Sequence, residues 1–134
     1  MAERSKFQEL STRRKRAHAQ MLASKSKIYE GFLAMESAAY SSGALAKKYK
    51  ELIAVGISVV KDCESCMQWH IEQAAASGAS YEEIFEAIEV GIEMGGGPAT
   101  VSARFALEVM DDIGLKPNGD RRDSAAQSGV HSRC

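Results

Sequence analysis

The sequence has almost no charge imbalance: 17 basic side chains stand against 18 acidic ones, a net charge of −1. Nothing global therefore points to nucleic acid as a partner. A long apolar run is missing too. The longest, Leu52 to Val60, falls far short of the roughly 20 residues that span a bilayer. No apolar signal-peptide core follows the N-terminal charges. These absences predict a soluble, unexported, cytoplasmic protein with no membrane partner. Strand signals are scarce: Asn118-Gly119 has no alternating apolar residues beside it. There are only 3 cysteines. Cytosolic thiols are kept reduced, so paired cysteines there indicate redox chemistry or metal rather than a structural staple.

What is present is helical spacing. The 134 residues are 45% hydrophobic and 26% charged, which suits one globular domain with a modest core. A charged helix is expected over about Lys6 to Ala23. Ile28, Phe32, Met35 and Ala39 predict a second, amphipathic helix, closed by Ser41-Ser42-Gly43. A third is expected from Lys47 to Val60, apolar nearly all round and so central and buried, although its β-branched residues also suit a strand. Asp62 is the expected N-cap of a fourth helix that runs from near Cys63 to Ala76 and ends at Ser77-Gly78. Ser80-Tyr81-Glu82-Glu83 reads as a capping box for a fifth, with Ile84, Ile88 and Ile92 on one face. Gly95-Gly96-Gly97-Pro98 breaks it and starts a sixth, which carries Val101, Phe105, Leu107 and Val109. The expectation is an all-α bundle of about six helices. Residues 1–27 form a basic N-terminal helix or arm, 28–113 the helical domain, and 114–134 a polar, disordered tail. The run Arg13-Arg14-Lys15-Arg16 reads as a solvated face, because no aromatic or base-reading pattern accompanies it.

The chemistry-bearing segment is Asp62-Cys63-Glu64-Ser65-Cys66-Met67-Gln68-Trp69-His70. Residues three and four apart are neighbours on a helix, so Cys63, Cys66 and His70 share one stripe. Two sulfurs so placed can form a disulfide. In a first helical turn, unpaired amides and the helix dipole favour the thiolate. His70, one turn beyond Cys66, can take its proton or stabilise its anion. That proximity makes Cys66 the nucleophile and Cys63 the residue that resolves a sulfenic acid. Helix position alone favours Cys63 instead, and the histidine decides between them. Haem attachment needs histidine directly after the second cysteine, where Met67 stands. Structural zinc needs a fourth ligand; Cys134 and His131 lie in the tail, so no metal and no cofactor are expected. Glu51 comes twelve residues before Cys63. Spacing alone leaves it a solvated carboxylate near a helix start.

From Glu51 onward the chain resembles the alkylhydroperoxidase D-like family, also called the carboxymuconolactone decarboxylase family. Glu51, Cys63-Glu64-Ser65-Cys66 and His70 carry the likeness, with Lys50-Glu51-Leu52-Ile53-Ala54-Val55, Gly78-Ala79 and Met94-Gly95-Gly96-Gly97-Pro98 in support. It covers residues from about 28 to 112. It implies an all-α fold assembled as trimers or hexamers. It also implies that Cys66 attacks a peroxide, Cys63 resolves it, and Glu51 and His70 relay protons. One departure is Ser65, where the alkylhydroperoxidase D proteins have a second histidine; a serine hydroxyl is no base near neutral pH.

The expected function is that of a thiol-dependent peroxidase or disulfide reductase. Its substrate would be a small peroxide or disulfide, its electron donor an unidentified thiol reductant, and its state a homotrimer or homohexamer. Two other functions compete. One is a lyase of the carboxymuconolactone decarboxylase type, acting on a small lactone acid through His70 and Glu51. The other is a non-enzymatic, oligomeric redox sensor.

Overall fold

The helix that organises the rest is α3 (Lys47–Val60), the apolar segment that also suited a strand. It is helical throughout, because its apolar residues find cover at helical rather than alternating spacing: Glu51, Ala54, Val55, Ser58 and Val59 are buried. The computed structural model of the chain describes residues 4–118, among which there are six α-helices and no strand. The others are α1 (Lys6–Ala23), α2 (Lys27–Tyr40), α4 (Glu64–Ala76), α5 (Tyr81–Gly95) and α6 (Gly97–Asp112). The expected tail falls largely outside the described residues, as do His131 and Cys134. No helix among the described residues is long and apolar enough to cross a membrane.

The capping chemistry at the start of α5 is as the sequence indicates. Ser80 Oγ accepts from the Glu83 amide at 3.1 Å, and Glu83 Oε1 accepts from the Ser80 amide at 3.0 Å. Glu83 also pairs with Lys48 at 3.0 Å, which fastens the start of α5 to the start of α3. Eight residues further along each helix, Gly56 and Gly91 meet backbone to backbone. A Cβ on Gly91 would stand 2.7 Å from the Gly56 carbonyl oxygen. The two contacts keep the same register, so α3 and α5 run in the same direction. α4 lies antiparallel to α3. Met67 and Ile71 from α4, Ile84 and Ile88 from α5, and Val109 and Met110 from α6 fill the core with Val55 and Val59.

α1 closes one side of this core. Phe7 is buried with its ring 5.5 Å from that of Phe105. The buried Gln68 amide donates to the Phe7 carbonyl and to Ser11 Oγ, both at 3.1 Å. These bonds satisfy a polar group that would otherwise be costly to bury.

Two expectations need correction. Asp62 is not the N-cap of α4. It takes a left-handed conformation (φ 51°) at the end of α3, and its carboxylate faces α6. The cap is Cys63, whose Sγ accepts from the Cys66 amide at 3.2 Å. α3 is not buried all round, because Ile53, Ile57 and Val60 stay exposed on the side its neighbours leave open. The apolar stripe of α2 is likewise uncovered: Ile28 is 86% exposed and Met35 62%, and no residue of α2 is buried.

Candidate functional site

The α3–α4 corner brings the two cysteines together. Cys63 caps α4 and Cys66 sits in its first turn, so both sulfurs lie at the helix N-terminus. They form a disulfide with Cα atoms 5.2 Å apart. Both residues are half-buried, whereas Glu64 and Ser65 between them are exposed.

Glu51 reaches the site through His70 and not through the thiols. Because α4 runs back along α3, the seventh residue after Cys63 returns to the level of Glu51. His70 Nδ1 is 2.7 Å from Glu51 Oε2. The carboxylate is 2% exposed and the imidazole 14%. A carboxylate can only accept, so Nδ1 is the protonated ring nitrogen and Nε2 is left free to take or give a proton. Spacing made Glu51 look remote because it was measured to Cys63. The chain reversal shortens the path.

A residue that sequence reasoning passed over completes the surroundings of His70. Tyr40, the last residue of α2, packs its ring 5.1 Å from the imidazole with 31° between planes. Burial pushes its hydroxyl above the ordinary tyrosine pKa, and the carboxylates of Glu51 and Glu36 push it further. No period or motif marks Tyr40, since its role depends on how the Ser-Ser-Gly turn folds α2 over α3.

A cavity of about 280 Å³ opens beside this cluster, walled by Tyr40, Lys47, Glu51, Trp69 and Gln73 among others. It lies toward the far end of α4 from the cysteines, which do not line it. Lys47 Nζ donates to Gln73 Oε1 at 3.3 Å across it. Arg14 lies 4.5 Å over the Trp69 ring, so one member of the basic run packs on an aromatic while Arg13, Lys15 and Arg16 stay exposed. Among the described residues, no group of three or more histidine, cysteine or acidic side chains is placed to hold a metal ion.

The sequence profile of the carboxymuconolactone decarboxylase family matches residues 26–109. Two relatives are uncharacterized proteins. "Uncharacterized protein 4 in cox locus" of Paracoccus denitrificans is 42% identical over 86 residues, 64% of this chain and 78% of its own length. A Cupriavidus necator protein is 39% identical over 82 residues, 61% of this chain and 73% of its own. Among solved structures, a carboxymuconolactone decarboxylase family protein from Legionella pneumophila superposes with a TM-score of 0.77 at 32% identity, covering 81% of this chain and 96% of the other. A Thermotoga maritima protein of the same family, described as "possibly involved in antioxidative response", superposes with a TM-score of 0.71 at 28% identity, covering 81% and 90%.

Proposed function

The chain belongs to the carboxymuconolactone decarboxylase family, and on that premise we propose that it is a thiol-dependent peroxidase or disulfide reductase. The observation that carries this reading is the Cys63–Cys66 disulfide, one helical turn from a histidine held by a buried carboxylate.

The reaction balances as follows. His70 Nε2 takes the Cys66 proton, and the Cys66 thiolate attacks the distal oxygen of a hydroperoxide. The O–O bond breaks, Cys66 becomes a sulfenic acid, and the alkoxide leaves with the proton returned by His70. The Cys63 thiol then attacks the Cys66 sulfur. A disulfide forms and water departs. An external thiol reductant restores both thiols, and its electrons are the ones the peroxide consumed. Glu51 holds His70 in the tautomer this sequence needs and balances the imidazolium that forms. The serine at position 65, exposed between the cysteines, offers no second base. Proton handling therefore falls to His70 and Glu51 alone.

The chain works as a homo-oligomer, a trimer or hexamer, in the cytoplasm. Support for assembly comes from the apolar side chains of α2 and α3 that its own fold leaves in water, Ile28, Phe32, Met35, Ile53 and Ile57. Support for the cytoplasm comes from a cysteine pair suited to cycling between dithiol and disulfide.

The deciding experiment counts thiols anaerobically before and after one equivalent of cumene hydroperoxide, with peptide mapping. Loss of two thiols and recovery of a Cys63–Cys66 linked peptide is the expected result. Unchanged thiols overturn the reading. A second reading has one observation in its favour: the cavity touches Glu51 but neither cysteine. It is a lyase acting on a small lactone acid, with Glu51 and His70 as the acid–base pair. Turnover that survives alkylation of both thiols would establish it.

A further inference from the structure

A hydrogen bond at one ring nitrogen does not fix an imidazole. The terminal torsion of histidine is broad, and the ring can still tilt about the Nδ1–Oε2 contact. Aiming Nε2 at a thiol one turn away therefore needs a second constraint, on the face of the ring. Glu51 supplies the edge contact from α3. The face contact comes from α2, through the Tyr40 ring at 5.1 Å and 31°. Among the described residues, no other aromatic ring packs on His70.

We propose that Tyr40 is a positioning residue for the Glu51–His70 pair, its aromatic face setting the plane of the imidazole while Glu51 sets its tautomer. This rests on the reading of His70 as the base for Cys66. Three observations converge on it. Tyr40 and Glu51, the two residues that contact the imidazole, wall the same cavity. The ring centroids stand 5.1 Å apart, within the range over which an aromatic face attracts a cation. The hydroxyl lies near the carboxylates of Glu51 and Glu36 and stays neutral beside them. It thus adds no negative charge to a site that already holds two carboxylates. The ring, and not the hydroxyl, is the part that acts.

The test compares Tyr40→Phe with two ringless variants, Tyr40→Leu and Tyr40→Met, each checked for folding by circular dichroism. Two readouts are taken on the reduced full-length protein without any peroxide. One is the pair of His70 ring ¹⁵N shifts, which report tautomer and protonation. The other is the rate at which iodoacetamide alkylates Cys66. Tyr40→Phe should keep both at the unmodified values. A folded ringless variant should move the ¹⁵N shifts toward the average of two tautomers and slow alkylation about tenfold, less than loss of the base itself would. Unmodified shifts and rate in a folded ringless variant overturn the proposal. So does a Tyr40→Phe variant as impaired as Tyr40→Leu, because the hydroxyl would then be responsible. The peroxidase reading fails separately. Thiols inert to cumene hydroperoxide remove it whatever Tyr40 does, and ¹⁵N shifts that respond to ring removal keep Tyr40 as a positioning residue of the acid–base pair.

Discussion

Ser102 donates its hydroxyl proton to Asp62 at 2.7 Å, although 40 positions separate the two. Ser102 is buried on α6, and Asp62 holds the left-handed corner between α3 and α4. The bond ties the residue just before Cys63 to α6.

Ser102→Ala breaks this tie with little change in volume. A hydrogen bond to a charged acceptor contributes about 1.5–3 kcal/mol. The carboxylate that loses its donor is solvent-exposed and can turn to water, so the expected loss is about 1 kcal/mol. Urea denaturation measures it, and no change in midpoint would show that the corner holds without α6.

The cysteine roles separate in single variants. Cys66→Ser is expected to abolish peroxide consumption. Cys63→Ser should leave Cys66 as a sulfenic acid that dimedone labels, detected by mass spectrometry. Turnover in the Cys66→Ser protein would give the nucleophile's role to another residue.

Glu51→Gln keeps size and removes the charge that His70 Nδ1 faces. The amide can donate as well as accept, so it no longer selects the Nδ1–H tautomer. The rate of Cys66 oxidation should fall on the order of 10²-fold, the lower part of the range for general acid–base catalysis. Stopped-flow Trp69 fluorescence with cumene hydroperoxide reads this rate.

Two glycine-to-alanine changes in helices should act in opposite directions. At Gly91 a Cβ would stand 2.7 Å from the Gly56 carbonyl oxygen and 3.0 Å from Val59 Cβ. Overpacking of this kind costs about 1–3 kcal/mol, more than the gain in helix propensity. At Gly31 nothing lies within 4 Å of the added methyl, so Gly31→Ala should stabilise by about 0.5–1 kcal/mol. Thermal unfolding of the pair distinguishes backbone contact from open surface.

The Lys48–Glu83 pair gives a pH signature. The Ser80 amide, followed by Lys48, holds the Glu83 carboxyl below its ordinary value of 4.5. A depressed folded-state pKa means stability present above 4.5 and lost as pH falls through the lower folded value. Lys48 is raised above 10.5 by its hydrogen bond to Glu83, so its share is present below that pH and lost as pH rises through the higher value. Both groups are solvated, and the effect is small. The stability difference between the unmodified protein and Glu83→Gln should be flat from pH 5 to 9 and shrink in acid. A difference that grows in acid would reverse the sign of the argument.

Much of the fold was legible because its signals are local. The span of α3, the Ser80 capping box and the Gly-Gly-Gly-Pro break each follow from a few neighbouring residues, and each stands where the sequence indicates. The Asp62 cap was misplaced because aspartate suits both an N-cap and a left-handed corner, and the partner its carboxylate takes is a serine 40 residues away. The exposed face of α3 misled in another way. Periodicity tells which side of a helix is apolar, but not whether one chain has enough neighbours to cover it. At the site, the pairing of Cys63 with Cys66 was legible from spacing. The Glu51–His70 contact was legible only through the family likeness, and Tyr40 was not legible at all, because both contacts are made by chain reversals.

The sulfur of Cys63 accepts the Cys66 amide and also bonds to Cys66. Adding two electrons to the pair therefore changes the terminal atom of a helix cap. Redox state becomes a mechanical input to the first turn of α4. Trp69, the chain's single tryptophan, sits one turn past Cys66 against Arg14. A shift in indole emission on reduction is the expected optical gauge of that electron count, read without any added label.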